Sequence, residues 1–326
     1  MIQALNDFTT QFWPSTVNGL AAGGIYGLIA LGYTMVYGVL RLINFAHGEV
    51  FMIGTLSVVF TVSLLNISAP LSGFALVGLL LLLAVVAMAA SGGTAALLEL
   101  VAYRRLRKHG APRLTALISA IGASLFLQEF AALFIIPNVM GLPGKGRDNI
   151  AVPERFMDKE VLFSIGDAGV RNDKLLIFIV AIVMMVVLDQ FVNRTKIGRG
   201  IRATAQDPET AVLMGVNIDR IVVMTFLVGG AAAGFGASLY VLQFENTKFF
   251  VGFILGVKAF TAAVLGGIGN LRGALVGGFA IGLIEMYGSS VFGSHWADVI
   301  VFTILVLVLM FRPTGILGES LQQARA

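Results

Sequence analysis

The sequence predicts an all-α, polytopic membrane protein: a single domain over 1–326 with about eight or nine transmembrane helices. Three observations carry this. The chain is 57% hydrophobic and 12% charged, about half the charged share of a soluble domain. Its mean hydropathy is +0.91, and its apolar residues fall in runs near the ~20 residues that cross a bilayer as a helix. The alternating segments of about ten residues that build a transmembrane barrel are absent. The 39 glycines fit this class, because glycine lets membrane helices approach closely.

Nine hydrophobic segments follow in order, near 16–40, 46–66, 73–102, 114–136, 174–192, 220–243, 251–268, 272–291 and 298–311. The first opens on the glycine-rich GLAAGGIYGLIALGY. The second and seventh are the weakest as plain spans, since each carries polar or glycine interruptions. The third runs into YRRLRKHGAPR (103–113), which holds Arg104, Arg105, Arg107, Lys108 and Arg113 and no acid. After the fourth comes 137–173, where charges nearly balance and Pro, Gly and Asp mark a structured or semi-ordered external loop. The fifth ends at the basic loop 193–220, with Arg194, Lys196, Arg199, Arg202 and Arg220. Basic loops stay in the cytoplasm. The two basic loops are separated by two spans, the parity this requires. Counting outward puts the N-terminus outside and the C-terminal FRPTGILG, with Arg312, inside.

The net charge of +4 therefore reflects membrane topology and gives no nucleic-acid signal. Without cysteine there is neither a disulfide nor a thiolate metal site. The start, MIQALNDFTTQFWPS, lacks the pattern of a cleaved signal peptide.

A weak internal repeat is visible. GLAAGGIYGLIALGY (19–33) resembles GGAAAGFGASLY (229–240), and an interrupted segment follows each. By span count the two copies run in opposite directions across the membrane, an inverted-topology repeat of the kind that handles substrate near the midplane; chance likeness of glycine-rich spans is the alternative.

The first interruption is Asn44-Phe45-Ala46-His47-Gly48-Glu49. Asn44, His47 and Glu49 are suited to bonding backbone groups freed where a helix breaks, with Asn44 as a candidate N-cap. A direct place on a transport pathway is the alternative. His47, His109 and His295 lie far apart, so no metal site is expected. The second interruption, KAFTAAVLGGIGNLRG (258–273), is rich in small residues, with Thr261, Gly266, Gly267 and Gly269 as its candidate pathway or turn positions. Arg41, Glu99, Glu129, Asp189, Lys258, Glu285 and Asp298 are isolated charges in or near spans. For most of them interface or interhelix pairing is the plainer expectation. Arg41, Glu99, Asp189 and Asp298 lie near span ends, and Glu129 and Glu285 lie deeper. There is no GxxxxGK[ST] loop and no converging acid, base and nucleophile set, so neither ATP hydrolysis nor enzymatic catalysis is expected of this chain.

The most informative stretch is GRGIRATAQDPETAVLMGVN (198–217). Asp207 suits an N-cap, Pro208 the first helical position and Gly215 a stop. The short helix carries Glu209, Ala211, Val212, Leu213 and Met214. It sets Ala211, Val212 and Met214 near Gly215 as an apolar surface for a cytoplasmic groove. Lying on membrane lipid is the alternative.

Glu209, Ala211 and Gly215 fall at the spacing of the EAA loop of ATP-binding cassette importer permeases. Thr210 replaces the family's second residue, and the Leu-Pro that often follows is missing. Beyond this loop, 27–54, 114–128, 198–220, 257–269 and 312–318 resemble the LivH-type permease subunit of high-affinity branched-chain amino acid importers. The resemblance implies a second homologous permease subunit and two cytoplasmic ATPase subunits that use ATP and Mg, with no cofactor bound by this chain. It also implies a periplasmic amino-acid-binding protein and a bacterial inner-membrane location. By this resemblance 207–215 is the coupling helix, and the cargo is leucine, isoleucine and valine. Other neutral amino acids, urea and short-chain amides are alternative cargoes, although urea-type relatives carry Met where this chain has Phe45. From another class, a stand-alone ion-coupled carrier would need its own coupling-ion site.

Overall fold

A computed structural model describes residues 2–67, 69–152 and 156–318. Residues 153–155 of the loop 137–173 and the side chain of Arg113 lie outside the described residues. In chain order the helices are α1 (Ile2–Leu40), α2 (His47–Leu65), α3 (Gly73–Leu98), α4 (Arg104–Lys108), α5 (Arg113–Phe130), α6 (Asn172–Arg194), α7 (Lys196–Gln206), α8 (Pro208–Leu213), α9 (Ile218–Phe244), α10 (Val251–Gly266), α11 (Leu271–Phe292) and α12 (Ala297–Phe311). A π-helical turn, Glu99–Tyr103, joins α3 to α4, and a second π stretch, Ala131–Val139, prolongs α5. Among the described residues four short strands lie between them: β1 (Ile150–Ala151), β2 (Val161–Ile165), β3 (Ala168–Arg171) and β4 (Asn246–Thr247). β1 pairs antiparallel with β4, and β2 with β3.

Eight helical stretches among the described residues are long and apolar enough to cross a membrane, so the chain is a polytopic all-α membrane protein. The predicted segments map onto them with two differences. The second segment is an uninterrupted span, because the break falls just before His47. The seventh becomes α10, whose 16 residues reach only about 24 Å, less than the ~30 Å hydrocarbon core. The loop 137–173 is structured by its two strand pairings. α7 was not foreseen: polarity alone suggests a loop, yet Ile201 and Thr204 are buried along one face of it.

The chain divides into two compact units, each built from separate stretches. One unit holds residues 1–34, 159–187 and 257–326, and the other holds 35–158 and 188–256. In the first unit α1 crosses α11 so closely that a Cβ on Gly23 would lie 2.7 Å from the Gly278 carbonyl oxygen. In the second unit α9 crosses α3, where a Cβ on Gly234 would overlap the Ala87 carbonyl. Each unit therefore packs a helix of the N-terminal half of the chain, α1 or α3, against one of the C-terminal half, α11 or α9. Without a hydrophobic drive between helices in lipid, contact by small residues supplies much of the association.

Candidate functional site

Two places carry the residues singled out above: the short helix α8 and the chain break before α2. Asp207 has an extended backbone, and its Oδ1 accepts the N–H groups of Glu209 at 3.0 Å and Thr210 at 3.3 Å. The Thr210 hydroxyl donates to Oδ2, and this bond foremost holds the Asp207 carboxyl below the usual carboxylate range. Pro208 fills the first helical position, where no N–H is needed. At the other end, Gly215 N–H donates to Val212 O at 2.9 Å and Val216 N–H to Ala211 O at 3.0 Å, the paired bonds of a Schellman stop. Gly215 has φ +84°, while the space around its missing Cβ is open. Glycine is required there for backbone conformation, not for room.

Six residues bounded so firmly at both ends can hold a surface in place. Leu213 is 85% exposed and Met214 81%, with Val212 and Glu209 also exposed. Ala211, which the sequence grouped with that surface, is turned inward and buried. The outward apolar face is thus Val212, Leu213 and Met214.

The break before α2 is built differently from expectation. The N-cap is Ala46, whose side chain cannot cap, so Asn44 is not the cap residue. Asn44 instead accepts the Ala46 N–H at 3.1 Å and the Tyr103 hydroxyl at 2.8 Å, both on Oδ1. Arg41 turns the chain with φ +51° and donates from Nη2 to Ala205 O of α7 at 3.2 Å. Phe45 is half-buried and His47 buried. Glu49 is fully buried on the first turn of α2. Its Oε1 accepts from Gln128 Nε2 at 2.7 Å and Ser124 Oγ at 3.2 Å, while Oε2 has no hydrogen-bond partner among the described residues. A Cβ on Gly252 would come within 2.8 Å of that oxygen.

The second predicted interruption is a turn sealed by the stretch 312–318. Gly267 and Gly269 have φ +107° and +102°. Asn270 caps α11, accepting the N–H groups of Arg272 and Gly273, and its Nδ2 donates to Leu317 O at 2.9 Å. Ile316 and Leu317 donate their N–H groups to Leu265 O at 2.7 Å and Gly266 O at 3.0 Å. The RPTGILG stretch thus supplies donors to the last carbonyls of α10. Thr261 is buried, with its hydroxyl spent on Val257 O of its own helix.

Five of the isolated charges form ion pairs: Glu99, Glu129, Lys258, Glu285 and Asp298. Lys258 Nζ lies 2.8 Å from Glu285 Oε1 and 2.7 Å from Asp298 Oδ1, with the Tyr26 ring centroid 5.9 Å away. Glu129 pairs with Arg147 at 2.8 Å. Glu99, placed by the sequence at an interface, is fully buried and held by Arg104 and Arg107. Sequence reasoning passed over Tyr103, Gln128 and Asp219. They look ordinary in sequence and acquire meaning only from the partner that folding gives them.

The family model described as branched-chain amino acid transport system / permease component matches residues 15–309. The permease protein BraD of the high-affinity branched-chain amino acid transport system of Pseudomonas aeruginosa is 42% identical over 307 residues, covering 93% of this chain and 94% of BraD. The corresponding LivH protein of Escherichia coli K12 is 39% identical over 313 residues, covering 94% and 96%. A probable LivH of Methanocaldococcus jannaschii is 26% identical over 300 residues, covering 89% and 88%. No solved structure gives a significant match. With a family model and relatives that run nearly end to end along these spans, the chain belongs to the family of branched-chain amino acid transport permease components.

Proposed function

We propose that this chain is one transmembrane subunit of an ATP-binding cassette importer that moves leucine, isoleucine and valine into the cytoplasm. Family membership supports the substrate class. One observation supports the drive: a six-residue helix, capped at both ends, presents Leu213 and Met214 to solvent. Exposed apolar side chains on a rigid polar loop find their place in a partner's groove. The partner in this reading is a cytoplasmic ATPase subunit, and ATP and Mg are bound there. A second homologous permease completes the membrane part, and a periplasmic binding protein delivers the amino acid. α4, α7, α8 and the C-terminus face the cytoplasm, and the N-terminus faces the periplasm.

In this reading the ATPase pulls or releases α8 through its cycle, and the spans exchange inward and outward access. The break at Asn44, Phe45, His47 and Glu49 lies on the translocation route, where a buried carboxylate beside freed backbone groups offers polar partners to cargo. Purification of the co-expressed assembly tests the drive. Leu213→Asp is expected to leave the permease folded in the membrane and to lose the ATPase subunits. Their full retention would contradict the assignment.

A further inference from the structure

Between the foot of α8 and the break at Asn44 lies a series of polar contacts joined by short lengths of helix backbone. Asn217 caps α9, accepting the Arg220 N–H at 3.0 Å. Asp219 follows on the first turn, and its Oδ1 accepts from Arg107 Nη2 at 2.5 Å, with Lys108 Nζ 3.5 Å from Oδ2. The same Arg107 Nη2 donates to Glu99 Oε1 at 3.0 Å, and Arg104 Nη2 lies 3.4 Å from Glu99 Oε2. Glu99 opens the π turn and Tyr103 closes it. Tyr103, buried with its ring 5.4 Å from that of Phe226, donates its hydroxyl to Asn44 Oδ1 at 2.8 Å.

The π geometry is what allows this. The Arg104 N–H bonds the Glu99 carbonyl five residues back, so Arg104 stacks over Glu99 as it would not on a regular α-helix. A π turn gives up regular register and is frequent at functional places. Here Glu99 at the start of the turn holds Arg104 and Arg107 of α4, Arg107 in turn holds Asp219 of α9, and Tyr103 at the end of the turn bonds the helix break.

We propose that the π turn Glu99–Tyr103 is the transmission element of the importer. Arg107 follows the position of Asp219, just beyond the docking helix, and Tyr103 carries that position to Asn44. These are positioning residues that touch neither ATP nor cargo. The inference rests on the reading of α8 as the ATPase docking helix.

The test uses the complete transporter in proteoliposomes and reads amino acid moved per ATP hydrolysed, beside ATPase retention and thermal unfolding. Tyr103→Phe keeps the ring on Phe226 and removes only the hydroxyl. Asp219→Asn keeps the shape and removes the charge. Each is expected to lower the ratio by about fivefold or more, the size of a typical coupling between sites, with ATPase subunits still bound and unfolding little changed. Asp219→Glu should restore most of the ratio. Because both residues serve one route, the double variant should be no worse than the poorer single variant. An unchanged ratio in both single variants overturns the proposal, as does a double variant whose loss is the product of the two. If Leu213→Asp keeps its ATPase subunits, the docking reading fails first and takes this one with it.

Discussion

Gly48 of α2 and Gly252 of α10 meet backbone to backbone, and a Cβ on either would overlap the carbonyl oxygen of the other. The contact is reciprocal, with both residues on the first turns of their helices.

The first prediction follows from that crossing. Gly252→Val should lower the unfolding temperature in detergent and the yield of folded protein, since overpacking a tight contact costs about 1–3 kcal/mol or more. Gly93→Ala and Gly122→Ala, where a Cβ meets nothing within 4 Å, should be neutral or stabilising by about 0.5–1 kcal/mol. Equal behaviour of the two sets would refute the tight crossing.

The second concerns Lys258, Glu285 and Asp298. Removing the cation alone, as in Lys258→Met, leaves buried Glu285 without its partner and should cost about 3–5 kcal/mol. Replacing both, Lys258→Met with Glu285→Leu, should recover much of that loss in thermal unfolding. If the double variant is as unstable as the single one, the pair does more than satisfy buried charge.

A third prediction separates conformation from space at Gly215. Gly215→Ala must adopt φ near +84°, at a cost of about 1–2 kcal/mol. The strain falls on an exposed stop, so the spans should unfold at the wild-type temperature while ATPase binding weakens. Gly215→Asp and Glu209→Lys should likewise uncouple transport and leave the protein in the membrane. Normal uptake by these variants would count against the docking role.

A fourth is a pH dependence. The Asp207 carboxyl is held below its ordinary value, 3.8, chiefly by the Thr210 hydroxyl. A lowered value means the cap is complete above pH 3.8 and is lost only as pH falls through the lower folded value. ATPase binding should therefore show no Asp207-dependent change between pH 8 and 5. A cap that weakens already near pH 5 would contradict the observed bonds.

Spans, loops and the boundaries of α8 were legible because hydropathy, Pro208 and Gly215 act locally. The break was half legible. Asn44 and Glu49 stand out as polar residues in an apolar chain, but their partners Tyr103, Ser124 and Gln128 come from distant helices. The cap assignment for Asn44 failed because a good capping residue was put to other use, bonding Tyr103 and Ala46 N–H two positions early. Lys258, Glu285 and Asp298 read as separate charges, because only packing brings three helices together. Ala211 was placed outward because a six-residue helix carries too little periodicity to fix its face.

The most direct measurement of the central claim is leucine uptake by proteoliposomes holding this chain, its partner permease and the ATPase subunits, supplied with the binding protein. The account predicts accumulation that requires ATP and disappears with Leu213→Asp although that variant remains folded. Uptake driven by an ion gradient without ATPase subunits, or undiminished uptake by Leu213→Asp, would contradict it.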